Sequence, residues 1–244
     1  TPEELALPAA TTAVLTNGAR LYVDHAHPEY SAPETIGARD ALLWDRAGEV
    51  IAQRVMARLE EQGEEPIVLV KNNTDGKGAA YGTHENYQMP RITDLDAIVR
   101  GLTPFMVTRP VICGAGRVGR GQKSEVPGFQ MSQRADFVQD GVSSSTTRSR
   151  PIINTRDEPH ADASEYRRLH VIVGDTNLSE HTHLLRFGAT DLMLRMIEAG
   201  FPLGDRVLAH PTLAVRQISH DLTGTARVAL RHGDASALEL QEHY

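Results

Sequence analysis

Two apolar periodicities occur in this 244-residue chain, and a fold must satisfy both. Alternation with a period of two runs through Arg20-Leu21-Tyr22-Val23-Asp24-His25 and again through Arg168-Leu169-His170-Val171-Ile172-Val173. Helical spacing starts at about Pro33, with Leu42, Leu43, Ala47, Val50, Ile51, Ala57 and Leu59 on one face, and returns from Leu184 to Ala199. Gly63 and Gly200 follow these helices at the position where a left-handed C-terminal cap forms, and Asn17-Gly18 and Gly233-Asp234 are turn signals. The run Ile67–Val70 reads as a buried strand and residues 81–87 as an extended segment. A helix is expected over 94–113 despite Pro104, and the glycine-rich stretch 114–128 is expected to be irregular. With no internal repeat or low-complexity linker, one α+β domain is the simplest reading.

Bulk composition narrows the function classes. A formal charge of -7 argues against nucleic acid as the main partner, although a local basic pocket for phosphates remains compatible with it. The single cysteine, Cys113, permits no intrachain disulfide, which fits a reducing, cytoplasmic compartment, and its apolar neighbours Val111 and Ile112 favour a buried structural thiol. No apolar stretch is long enough to span a membrane and no signal peptide is visible. A first residue other than Met suits a processed chain or a fragment.

Several motifs carry possible chemistry. Gly114-Ala115-Gly116-Arg117-Val118-Gly119 matches a dinucleotide fingerprint, but Arg120-Gly121-Gln122-Lys123 and Pro127-Gly128 follow where a helix is required, so a Rossmann fold is rejected. His25-Ala26-His27 places two imidazoles on one face of a strand, as in metal-dependent amidohydrolases, though two histidines on a strand are more often incidental. Asp24 and Glu29 flank that run. One carboxylate could serve as base or nucleophile while the other binds a divalent cation, and on spacing alone a solvated acidic loop is the competing account. In Gly82-Thr83-His84-Glu85-Asn86, alternation sets His84 and Asn86 on one face and Glu85 on the other. The stretch from Arg150 through Asn154, Arg156, Asp157, Glu158 and His160 to Asp162, with Arg167, Arg168, His170 and Arg134, is rich in guanidinium groups suited to phosphate or carboxylate.

Taken in order, these segments resemble the depupylase/Pup deamidase (Dop) family, relatives of the Pup ligase PafA and, more distantly, of glutamine synthetase. The resembling text is Thr16 to Ser31, Lys71 to Asp75, Tyr81 to Tyr87, Gly114 to Gly119, Gly128 to Gln130, Arg150 to Asp162, Arg167 to His170 and Gly174 to Glu180. His25-Ala26-His27 and Gly82-Thr83-His84 are spelled as in Dop rather than in the ligase. The resemblance implies a glutamine-synthetase-like curved antiparallel sheet, with helices on its convex side and ATP and magnesium on the concave one. It implies deamidation of the C-terminal Gln of Pup and cleavage of the Pup–lysine isopeptide bond in pupylated proteins, by a cytoplasmic monomer. Asp24 matches the essential aspartate, as nucleophile or general base. Glu29 and His84 match metal ligands, and Arg134, Arg156, Asn154 and His170 match nucleotide- or substrate-holding positions. The family's N-terminal G-x-E-x-E-Y strand and its small C-terminal domain have no counterpart in residues 1–244, which would leave this stretch as most of the large catalytic domain and inactive alone. A PafA-like ligase that consumes ATP, or an inactive Pup-binding fragment, are the alternatives.

Overall fold

Asn17 and Gly18 form the first turn, with Gly18 at φ +87°, a left-handed conformation that costs glycine least. The computed structural model describes residues 12–24, 27–146 and 149–244; His25 of the proposed histidine pair lies outside them. By contacts the chain divides into one unit ending at Val70 and another from Lys71 to Tyr244.

In the first unit, β1 (Thr12–Val14), β2 (Arg20–Asp24) and β3 (His27–Ser31) form an antiparallel sheet. Tyr22 pairs with Glu29 and Asp24 with His27, so these four side chains share one face; Leu21, Val23, Pro28 and Tyr30 take the other. Helix α1 (Ala38–Glu61) follows, and Gly63 at φ +85° stands just past its end. A Cβ on Gly48 would come within 2.3 Å of the Tyr30 ring, so the helix backbone passes directly over that ring. Replacing Gly48 with Ala is therefore expected to cost about 1–3 kcal/mol through overpacking, read as a lowered denaturant midpoint.

The helical periodicity is correct in type but does not seal a core. Leu43 and Val50 are 61% and 45% exposed. Nor is Ile67–Val70 a buried strand: this stretch has no strand assignment, and Val68 and Val70 are 83% and 74% exposed. Four β-branched or aliphatic residues supply propensity, but a strand also needs a hydrogen-bonding neighbour.

The second unit is built on a four-stranded sheet in the order β4 (Glu85–Pro90), β9 (Tyr166–Val171), β8 (Pro151–Asn154), β7 (Asp140–Ser143). The β4–β9 and β9–β8 pairs are antiparallel, whereas β8 and β7 run parallel. This corrects the wholly antiparallel expectation; alternation reveals a strand's faces but not its direction. The extended segment also begins later than expected, at Glu85 rather than Tyr81.

One face of this sheet packs on helices. Tyr87, Met89, Leu169 and Val171 join Ile98, Leu102, Phe105 and Met106 of α2 (Leu95–Thr108) and Met193, Leu194 and Ile197 of α4 (Glu180–Glu198) in the core. Asp94 caps α2 by accepting from the Ala97 amide at 3.0 Å, and the helix continues through Pro104. The short helix α3 (Pro110–Cys113) ends at Gly114, and the glycine stretch expected to be irregular contains a hairpin, β5 (Arg117–Arg120) with β6 (Val126–Gln130). No helix starts at the fingerprint glycines, in keeping with the rejection of a Rossmann site. Helix α5 (Pro211–His220), the hairpin β10 (Arg227–Ala229) with β11 (Asp234–Ser236), and α6 (Ala237–His243) complete the unit. Cys113 is buried, and burial pushes its thiol pKa up to about 11, the behaviour of a structural rather than reactive cysteine. Among the described residues no helix is long and apolar enough to cross a membrane.

Candidate active site

Strand pairing lays out a polar row across three strands. Asn86 of β4 faces His170 of β9, which faces Asn154 of β8, all on the sheet face opposite the helical core. His170 Nδ1 lies 2.7 Å from Asn86 Oδ1. An amide oxygen only accepts, so Nδ1 carries the proton and Nε2 keeps its lone pair. Burial, then the neighbouring His84, Arg168 and Arg156, lower the His170 pKa to about 4, which keeps the ring neutral near pH 7.

His84 meets His170 edge to face, with ring centroids 4.9 Å apart. Gly82 makes room for this arrangement, since a Cβ there would stand 2.8 Å from His84 Nε2 and 3.8 Å from Arg134 Nη2. Arg134 thus adjoins the imidazole pair. It is buried, and Nη1 donates to the carbonyls of Ile172 and Gly174 while Nε has no partner. Burial outweighs the attraction of Asp175 and lowers its pKa to about 10, so Arg134 remains a cation at neutral pH, held in a sheltered place.

Asn154 is buried and spends its side chain locally, donating to the Ser145 carbonyl at 2.8 Å and accepting from the Arg156 amide at 2.8 Å. It fixes the start of the Arg156 loop. The Arg156 guanidinium is exposed and donates to Glu158 at 3.0 Å, so its contact here is an ion pair rather than a bond into the polar row.

In the first unit, Asp24 ends β2 with its side chain exposed, on the same hairpin face as Glu29. Glu29 hydrogen-bonds with the Tyr22 hydroxyl, and burial together with that carboxylate raises the Tyr22 pKa. Hence Asp24 and Glu29 share one face of the first unit, while His84, Arg134, Asn154 and His170 gather in the second, with Arg156 on the adjoining loop.

Asp175 was not singled out by spacing, yet it organises much of this second group. Its carboxylate accepts from the amides of Ala115 and Gln133 at 3.0 Å each, the Arg134 amide at 3.2 Å and the Ser132 hydroxyl at 3.0 Å. It thereby ties the loop after α3 and the loop after β6 to the end of β9. Its acceptors face two separate segments, at Ala115 and at Ser132 to Arg134, which no short motif encodes.

The donor set can be tested against the groups that such a site would hold. A sheltered guanidinium whose Nε has no partner suits an anion such as a phosphate, whereas the lone pair on His170 Nε2 suits a cation or a hydrogen-bond donor. Among the described residues no group of three or more His, Cys, Asp or Glu side chains is arranged to hold a metal ion.

The family model described as Pup-ligase protein matches residues 3–244. The chain belongs to the Pup-ligase family. It is 63% identical over 240 residues to a Pup–protein ligase of Micrococcus luteus, covering 94% of this chain and 52% of that protein. It is 54% identical over 237 residues to a Pup deamidase/depupylase of Mycolicibacterium smegmatis, covering 96% and 48% respectively. Among solved structures it superposes on the Pup ligase PafA in complex with ADP, with a TM-score of 0.87 and 43% identity over 99% of this chain and 53% of that one. A complex of PafA with Pup gives a TM-score of 0.86 and 42% identity over 95% and 48%. The fold is therefore PafA-like, and the chain spans about half the length of the relatives it matches. Relatives named ligase and relatives named depupylase both match, so family membership does not choose between the two names.

Proposed function

We propose that this chain supplies most of the large catalytic domain of a Pup deamidase and depupylase, a cytoplasmic monomer using ATP with magnesium. The observation that carries the reading is the β2–β3 hairpin, which presents Asp24 and Glu29 on one face with Asp24 exposed at the strand end. A carboxylate so placed can attack an amide carbonyl or take a proton from water. An amide is a poor electrophile, so preorganisation of that carboxylate and stabilisation of the developing oxyanion are what the site must contribute. This reading gives Glu29 and His84, each in its own unit, the role of metal-ligand positions, and Arg134, Arg156, Asn154 and His170 that of holding nucleotide or substrate. The concave face of a glutamine-synthetase-like sheet is then the polar row Asn86–His170–Asn154. The ADP bound to PafA supports nucleotide use, and the Pup bound to PafA supports Pup as the partner.

Hydrolysis is favoured by the spelling of the segments around Asp24 and His84. Ligation is the second reading, and the Micrococcus luteus ligase at 63% identity favours it. The two differ in nucleotide balance: a ligase spends one ATP per bond through an acyl phosphate, whereas a deamidase needs ATP without spending it each cycle. Incubating the intact protein with Pup ending in Gln and ATP should release ammonia. Absence of ammonia, together with ATP-dependent attachment of Pup ending in Glu to lysine, would establish the ligase reading instead.

A further inference from the structure

Glu85 faces away from the polar row and meets two buried arginines. Arg109 grips its carboxylate with both terminal nitrogens, Nη2 to Oε1 at 2.9 Å and Nη1 to Oε2 at 3.0 Å. Arg186 Nε lies 3.9 Å from Oε1, and the Tyr87 hydroxyl donates to Oε2 at 2.7 Å. Thr190 accepts from Arg109 at 3.0 Å and donates to the Arg186 carbonyl at 2.7 Å. All three charged side chains are at most 2% exposed. Burial opposes ionisation of Glu85, but the two guanidinium charges outweigh it and hold the carboxyl below its usual range.

A buried ion network of this kind is a poor way to gain stability, because desolvation consumes most of the attraction and well-packed apolar side chains often do as well. What this network does have is contact with the wall of the candidate site. The segment after β9 passes flush against it: a Cβ on Gly174 would stand 2.6 Å from Arg109 Nη2 and 2.8 Å from Glu85 Oε1. Arg186 Nη1 donates to the carbonyl of Asp175. Arg134 donates to the carbonyls of Ile172 and Gly174 in this same segment. Glu85 also lies between His84 and Asn86 in the sequence, so fixing its side chain behind β4 fixes the two that face the row.

We propose that Glu85, Arg109 and Arg186 are positioning residues that set Arg134 and the His84–His170–Asn86 group in the geometry that receives the nucleotide. The inference rests on the nucleotide-binding part of the proposed function. Glu85→Gln keeps the shape and removes the charge. In the intact protein it should weaken ATP binding by about 10–100-fold, the range for groups that orient ligating side chains. The side-chain NMR signals of His84, His170 and the Arg134 Nε–H should shift with it. A second variant, Glu85→Leu with Arg109→Met and Arg186→Met, replaces the network by apolar bulk. It should recover thermal stability without recovering ATP affinity. Wild-type ATP affinity and unchanged imidazole and guanidinium signals in folded Glu85→Gln would overturn the proposal, as would wild-type affinity in the apolar variant. Were the wild-type protein to bind no ATP, the proposed function would fall, while the NMR comparison would still decide the role of the network.

Discussion

Asp24→Asn in the intact protein is expected to abolish hydrolysis of Pup ending in Gln, with a loss of at least the ~10²–10⁴-fold typical of a general acid–base group. The amide keeps nearly the volume of the carboxylate but offers neither a nucleophilic oxygen nor a basic one. Asp24 is exposed at the end of β2, so the exchange leaves no unsatisfied buried group and should leave folding unchanged. ATP binding should persist, because the buried cation suited to polyphosphate, Arg134, belongs to the second unit. Steady-state ammonia release and equilibrium ATP binding on the same preparation check both parts. Near-normal turnover would remove Asp24 from the chemistry.

Arg109→Ala should have the largest effect on stability. It removes the bidentate partner of a buried carboxylate and leaves Glu85 with Arg186 Nε at 3.9 Å and the Tyr87 hydroxyl. Breaking a buried pair in this way costs about 3–5 kcal/mol. For a domain of this size each kcal/mol moves Tm by roughly 2–4 °C, so thermal unfolding should shift down by roughly 6–20 °C. The same carboxylate predicts a pH dependence. Because its folded-state pKa is depressed, the unfolded chain binds the proton more readily below neutrality. The contribution of the pair is then fully present above the unfolded carboxyl pKa of 4.5 and is lost as pH falls through the lower folded value. Arg109→Ala should flatten that acid-side slope in an unfolding series; an unaltered slope would mean that Glu85 does not titrate as described.

The sequence reveals its elements better than their partners. The alternation from Arg20 to Asp24 and from Arg168 to Val171 appears as strands, and the helices near 38–61 and 180–198 form where the apolar spacing puts them. Ile67–Val70 misled because propensity says nothing about whether a neighbouring backbone is there to pair with. The parallel β7–β8 pair was illegible for a related reason, since side-chain pattern carries no strand direction. Local motifs found His84 and His170 separately, and only register shows them in ring contact. Glu85 was visible as the residue facing the other way in its motif, but its partners Arg109 and Arg186 lie 24 and 101 positions further along the chain, beyond the reach of any spacing rule.

The most direct test of the central reading is to count ammonia and ADP in one tube, with the intact protein, Pup ending in Gln, ATP and magnesium. The account predicts ammonia accumulating over many turnovers while ADP stays far below it. No ammonia, or ADP formed one for one with the ammonia released, would contradict it.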